Sequence, residues 1–240
     1  MRTAARGVVL VSVGVFAIAG ATPALADLII DDFGEVALAA QVISLINPDP
    51  TLASSADPGI LGGERDLLLD VMGAAGPVAY SGTVGQGTLA FNSSQPGTAA
   101  TLQYDGIDTD VFGPPAGLTN SELLGGIDFT ASGSGLYLDF LSIDGGQVQT
   151  TGIQIEAHNG AAVSTFAGAI ADAAAPFRYN VPFAAFSDPA VFSHVTSLTL
   201  SINPAGANDV DFVLDLVGVP EPGTLAFLGL GLVLLRWRKR

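Results

Sequence analysis

The chain has 240 residues, no cysteine, and 23 acidic residues against 8 basic ones. Without cysteine there are no disulfides, thiolate nucleophiles or cysteine metal sites, so the 49% of residues that are apolar must hold the fold by burial alone. Only Glu221 among the acids lies outside residues 27–218, and only Arg65 and Arg178 among the cations lie inside, so this body carries a net charge of about −20; such a field repels phosphate backbones and excludes nucleic acid as a partner.

Arg2 and Arg6 form a cationic start, residues 7–21 an apolar run, and Ala24-Leu25-Ala26 supplies the small residues that signal peptidase reads. Residues 1–26 are therefore expected to be a signal peptide, cut between Ala26 and Asp27. Residues 27–218 have the length of one sandwich-sized domain with its own core.

Within that body the dominant pattern is alternation with a period of two. In chain order, strands are expected at 28–33, 36–46, 66–72, 87–91, 98–104, 127–131, 136–141, 152–158, 177–183, 197–202 and 209–217. The run 36–46 is short and apolar enough to be ambiguous. Residues 166–175 are rich in alanine and stopped by Pro176, a helical composition that also suits a strand end and a loop. The clearest strand is 209–217, with Val210, Phe212, Leu214 and Leu216 on one face and Asp209, Asp211 and Asp215 on the other. Asn203-Pro204-Ala205-Gly206 before it reads as the turn of a hairpin with 197–202. With one apolar face per strand and no amphipathic helices to cover it, the fold class is all-β, a single β-sandwich. Alternation alone leaves a jelly roll and an immunoglobulin-like Greek key both open.

Residues 219–240 differ from the body. Val219-Pro220-Glu221-Pro222-Gly223 is followed by an apolar run at 224–235 and the basic end Arg236-Trp237-Arg238-Lys239-Arg240. As a helix the run spans about 18 Å, short of a hydrocarbon core of about 30 Å. Arg236 can snorkel and Trp237 can sit at the interface, which stretches the reach of a marginal membrane anchor with its cations on the cytoplasmic side.

Catalysis has little to draw on. His158 and His194 are the only histidines, and no nucleophile elbow, zincin motif or phosphate loop accompanies them. His158 reads as an imidazole on a polar strand face and His194 as a loop or strand-edge residue. Sugar recognition normally needs an aromatic platform with polar groups beside it. The body has no tryptophan, which leaves Tyr80, Tyr104, Tyr137 and Tyr179; Tyr137, sharing a face with Asp139, is the pair expected to contact carbohydrate. Asp105, Asp108 and Asp110 form an acidic cluster without the spacing of an EF-hand. Arg65 and Arg178 read as structural cations that neutralise neighbouring carboxylates.

The order of motif, hydrophobic run and Arg-rich end resembles the PEP-CTERM sorting signal of exopolysaccharide-producing Gram-negative bacteria. That resemblance implies recognition of Pro220, Glu221 and Pro222 by an exosortase and loss of the tail, with this chain as substrate. The body, through Ile29-Ile30-Asp31-Asp32-Phe33, Gly62-Gly63-Glu64-Arg65-Asp66-Leu67, Tyr104-Asp105-Gly106 and the strand at 210–217, is similar to PEP-CTERM passengers laid out like jelly-roll carbohydrate-binding modules. Such modules often carry a structural ion between first and last strands, which would place a Ca²⁺ near Asp31, Asp32, Asp211 and Asp215. The expected function is an exported, non-enzymatic cell-surface or biofilm-matrix protein, transiently anchored in the inner membrane. A module retained on exopolysaccharide and a hydrolase of envelope polymers are the alternatives.

Overall fold

Alternating side chains pair into strands wherever one face can be buried; in 197–202, Leu198, Leu200 and Ile202 are buried while Thr199 and Ser201 remain partly accessible. The computed structural model describes residues 27–34, 41–43, 51–71, 80–85, 87–92, 97–107, 118 and 121–221. Among them the strands are β1 (Leu28–Asp31), β2 (Gln41–Ile43), β3 (Thr51–Ala56), β4 (Glu64–Val71), β5 (Tyr80–Gly85), β6 (Thr88–Asn92), β7 (Thr98–Tyr104), β8 (Gly135–Asp144), β9 (Thr150–Asn159), β10 (Ala162–Ala171), β11 (Phe177–Pro182), β12 (Ser197–Ile202) and β13 (Asp211–Val219). The expected signal peptide and the apolar run of the tail lie outside the described residues, as do Asp108, Asp110 and Pro222. No helix among the described residues is long and apolar enough to cross a membrane.

One sheet runs β11-β8-β13-β6-β5-β2 with β1 also paired to β13, and the other runs β10-β9-β12-β7-β4-β3. Neighbouring strands are antiparallel throughout. The chain turns back within a sheet at β3–β4, β5–β6 and β9–β10, while β6 to β9 and β10 to β13 alternate between sheets. The result is an all-β sandwich with the crossing connections of a jelly roll. Its core holds Phe91 stacked on Phe212 at 4.9 Å, Phe140 edge-on to Phe212 at 6.2 Å, and Phe177 stacked on Phe140 at 5.4 Å. A second aromatic group, with Phe192 against Phe183 at 4.1 Å and Phe186 at 4.7 Å, closes one end under short 3-10 turns.

The structure decides one open expectation and corrects two. The alanine-rich run 166–175, whose composition suited a helix or a strand end and a loop, takes the second form; most of it lies in β10, paired residue for residue with β9 from Ala162↔Asn159 to Ala171↔Thr150. Alanine's helical preference is a few tenths of a kcal/mol per residue and yields to a full ladder with Ser164 and Ile170 buried inward. On the open edge of β10, Thr165 is met by Ser187, whose N–H donates to the Thr165 carbonyl at 3.0 Å and whose Oγ accepts the Thr165 N–H at 2.9 Å. Residues 127–131 form no strand. Ile127 makes a lone bridge to Val195, and then Asp128 Oδ1 accepts the Thr130 hydroxyl at 2.6 Å and the Ala131 N–H at 3.1 Å, folding the chain into a turn.

The second correction concerns 197–202 and 209–217, which are strands but not a hairpin, since β12 and β13 lie in opposite sheets. The turn between them is real and carries the chain across. Asn203, left-handed at φ 59°, donates through Nδ2 to the Thr98 and Ala207 carbonyls at 2.9 Å and accepts the Ala207 N–H at 2.8 Å. The Gly206 carbonyl comes so close to Gly97 that a Cβ there would meet it. Asn203→Ala would remove a partner from one buried and two part-buried backbone groups and strain a left-handed residue, and is expected to cost about 2–4 kcal/mol, read as a lower urea midpoint.

Candidate functional site

The first and last strands meet at one pole of the sandwich. β1 pairs with the end of β13, placing Leu28 opposite Val219 and Ile29 opposite Gly218. There Asp27 bridges three parts of the chain. Its Oδ1 accepts the Glu221 N–H at 2.9 Å and its Oδ2 accepts the Tyr137 hydroxyl at 3.1 Å. Tyr137 lies over Gly218, its register partner, where any Cβ would collide with the phenol. Pro220 rests against Gly133 in the same way, with its carbonyl 2.1 Å from where a Cβ would stand.

The chain of contacts continues on the outer face of the first sheet. The Arg178 guanidinium sits 3.7 Å from the Tyr137 ring centroid, and its Nε and Nη2 donate to the two Asp139 oxygens at 2.8 and 2.7 Å. This bidentate pair raises the Arg178 pKa. Tyr137 and Asp139 are thus neighbours, as expected, but the ring is 0% exposed and roofed by Arg178, leaving no free platform for a sugar. Burial, then the Asp27 carboxylate, push the Tyr137 phenol up to about 12.

Asp31 is placed differently from the outward-facing aspartates of the last strand. Between Ile29 and Asp31 the register with β13 slips by one residue, and the bulge buries both Ile30 and Asp31. Asp31 Oδ2 takes Arg65 Nη1 at 2.5 Å and the Tyr104 hydroxyl at 3.0 Å, and Oδ1 takes the Phe33 N–H at 2.8 Å. The Phe33 ring faces the guanidinium at 5.1 Å. Burial is the largest influence on Asp31 and raises its pKa, with Arg65 opposing it; burial and then Asp31 raise Tyr104 well above the ordinary phenol.

The four aspartates expected to hold Ca²⁺ do not gather. The guanidinium occupies the place beside Asp31 that a cation would take, and exposed Asp32 accepts the Gly34 N–H in a local turn at 3.0 Å. Asp211 lies six positions along β13 from Val217, the partner of Asp31, about 20 Å away at strand rise. No cluster of three or more metal-ligating side chains forms among the described residues. Asp105 is a buried loop anchor whose Oδ2 accepts Gln103 Nε2 at 2.9 Å and the Ser121 N–H at 2.6 Å.

His158 lies on the outer face of the second sheet with both ring nitrogens turned to carboxylates, Nε2 to Glu156 at 2.7 Å and Nδ1 to Glu122 at 3.7 Å. Its cross-strand neighbour Ser197 is fully buried, so the pair does not present a nucleophile to solvent. His194 follows a 3-10 turn and lays its ring against Gly126. The Asp27 bridge to Glu221 has no signal in local sequence, because it joins residues 194 positions apart.

Because the Tyr137 phenol ionises about two units later in the folded chain than in the unfolded one, it supports stability fully below pH 10 and loses that support between pH 10 and 12. Tyrosinate absorbance near pH 12 should fall by one phenol in Tyr137→Phe, with the still later titration of Tyr104 retained, and the variant should lose less stability across that window.

The PEP-CTERM protein-sorting motif model matches residues 218–240. No curated protein matches the chain. Among solved structures, the family 11 carbohydrate-binding module of the cellulosomal cellulase Lic26A-Cel5E of Clostridium thermocellum is 12% identical, covers 83% of this chain and 97% of its own, and superposes with a TM-score of 0.38. The family 11 module from the same organism in complex with a β-1,3-1,4-mixed-linked tetrasaccharide is 10% identical over 83% of this chain and 98% of its own, with a TM-score of 0.37. The sandwich thus ends in a strand whose last two residues, Gly218 and Val219, already belong to the match, and residues 218–240 are a PEP-CTERM protein-sorting motif.

Proposed function

We propose that the chain is an exported, non-enzymatic protein of the cell surface or biofilm matrix, delivered by an exosortase that recognises Pro220, Glu221 and Pro222 and removes the tail. The observation that carries this reading is the pairing of Leu28 with Val219, which puts the expected signal-peptidase site and the sorting motif side by side at one pole. The buried side chains of β1 and β13 among those described, Ile30 and Asp31, and Phe212, Leu214, Val217 and Val219, all lie within the body that the two cuts would leave. A body charge of about −20 suits a hydrated polymer matrix, keeping molecules soluble and mutually repelled.

Exopolysaccharide binding is not part of the proposal. Asn92, Ser142 and Asp211 border a depression of about 260 Å³ on the first sheet, and the two rings that line it, Phe91 and Phe212, are buried in the core and stacked on each other. The large apolar side chains exposed among the described residues are Ile107, Leu123, Leu141, Val148 and Val163, and none is aromatic.

Glu221→Ala alters the motif side chain and keeps its backbone. In the producing cell it is expected to retain the tail and collect in the inner-membrane fraction, while the wild-type protein appears in the envelope surface and medium. Release of the variant at the wild-type level would contradict exosortase delivery.

A further inference from the structure

Proline has no N–H, so Pro220-Glu221-Pro222 contains a single backbone donor, that of Glu221. In the folded chain this donor is already used, bonded to Asp27 Oδ1 at 2.9 Å. The preceding carbonyl, of Pro220, lies in a seat that exists only because residue 133 has no side chain. Val219 is fully buried and paired with Leu28. Asp27 is itself held, since its other oxygen receives the Tyr137 hydroxyl and that ring is pinned beneath Arg178. The start of the sorting motif is therefore docked on the body by contacts at consecutive residues.

Enzymes that process extended peptides commonly bind them strand-like, through backbone hydrogen bonds. Resting on the sorting reading above, we propose that Asp27 and Gly133 are positioning residues for tail processing: they hold the motif closed against the sandwich, and it must leave this seat before the sorting enzyme can take it. Asp27 competes for the one main-chain donor the tripeptide has to offer. Gly133 controls the same equilibrium through shape alone, independently of the carboxylate.

Two full-length variants test this in the producing cell, with tail removal followed by intact mass after a pulse of synthesis. Asp27→Ala removes the acceptor, and Gly133→Ala pushes out the Pro220 carbonyl while Asp27 stays in place. Each is expected to speed tail removal by roughly three- to tenfold, the effect of losing one net hydrogen bond. Asp27→Asn keeps an acceptor oxygen and should process at the wild-type rate, a rescue that a purely structural role would not give. In the purified unprocessed chain, amide exchange at Glu221 should accelerate in both alanine variants while exchange at core Leu214 stays unchanged. The same spectra report the N-terminus, so altered signal-peptide cleavage at Asp27 is read separately. Slower or unchanged tail removal in both alanine variants, or unchanged exchange at Glu221, would overturn the proposal alone. A wild-type chain that keeps its tail would overturn the sorting reading and this proposal with it.

Discussion

The antiparallel pairing of β1 with the end of β13 ties the two ends of the body together, and the bulge within it decides what lies beneath. By slipping one residue between Ile29 and Asp31, the bulge turns a carboxylate into the core, where Arg65 from β4 and Tyr104 from β7 meet it. The edge of one sheet is thereby fastened to the middle of the other. A buried pair of this kind is not a large net gain, because desolvation offsets the attraction, but removing one partner costs about 3–5 kcal/mol. It specifies where the first strand must lie, and with it the position of Asp27 and the exit of the sorting motif.

Charge explains the use made of the two body cations. In a domain with so few positive groups, Arg65 is fully buried against Asp31 and Phe33, and Arg178 is partly exposed against Asp139 and Tyr137. Each combines a carboxylate with an aromatic face, which a guanidinium does better than an ammonium. Both sit along the path from the first strand to the last. Among the described residues, Glu64, Asp66 and Asp105 are also buried, while Asp128 and Asp188 are exposed turn residues that bind nearby backbone N–H groups.

Much of the sandwich was legible from alternation, because strands such as 87–91 and 152–158 bury one side chain in two and their sequences say so. β10 was not, since its alanines and glycine carry no periodic signal and its strand character comes from pairing with β9. β3 and β5 escaped notice because Thr-Leu-Ala-Ser-Ser-Ala and Tyr-Ser-Gly-Thr-Val-Gly hold too few apolar residues to mark a face. The turn at Asn203 was visible, but its destination depended on which sheet the next strand joined. At the site, Tyr137 and Asp139 were correctly placed on one face, whereas Arg178 capping the ring could only be seen once β11 was laid beside β8. The sorting motif was plain in composition; its docking on Asp27 and Gly133 was not, because it depends on three distant segments converging.

A sorted substrate trimmed at both of its adjoining ends carries the record of both cuts in its mass. Intact mass of the protein recovered from the producer's envelope and medium reads both ends together. The account predicts a species that begins at Asp27 and ends between Pro220 and Gly223. A species that retains Arg240 in those fractions would contradict it and make the tail a lasting anchor.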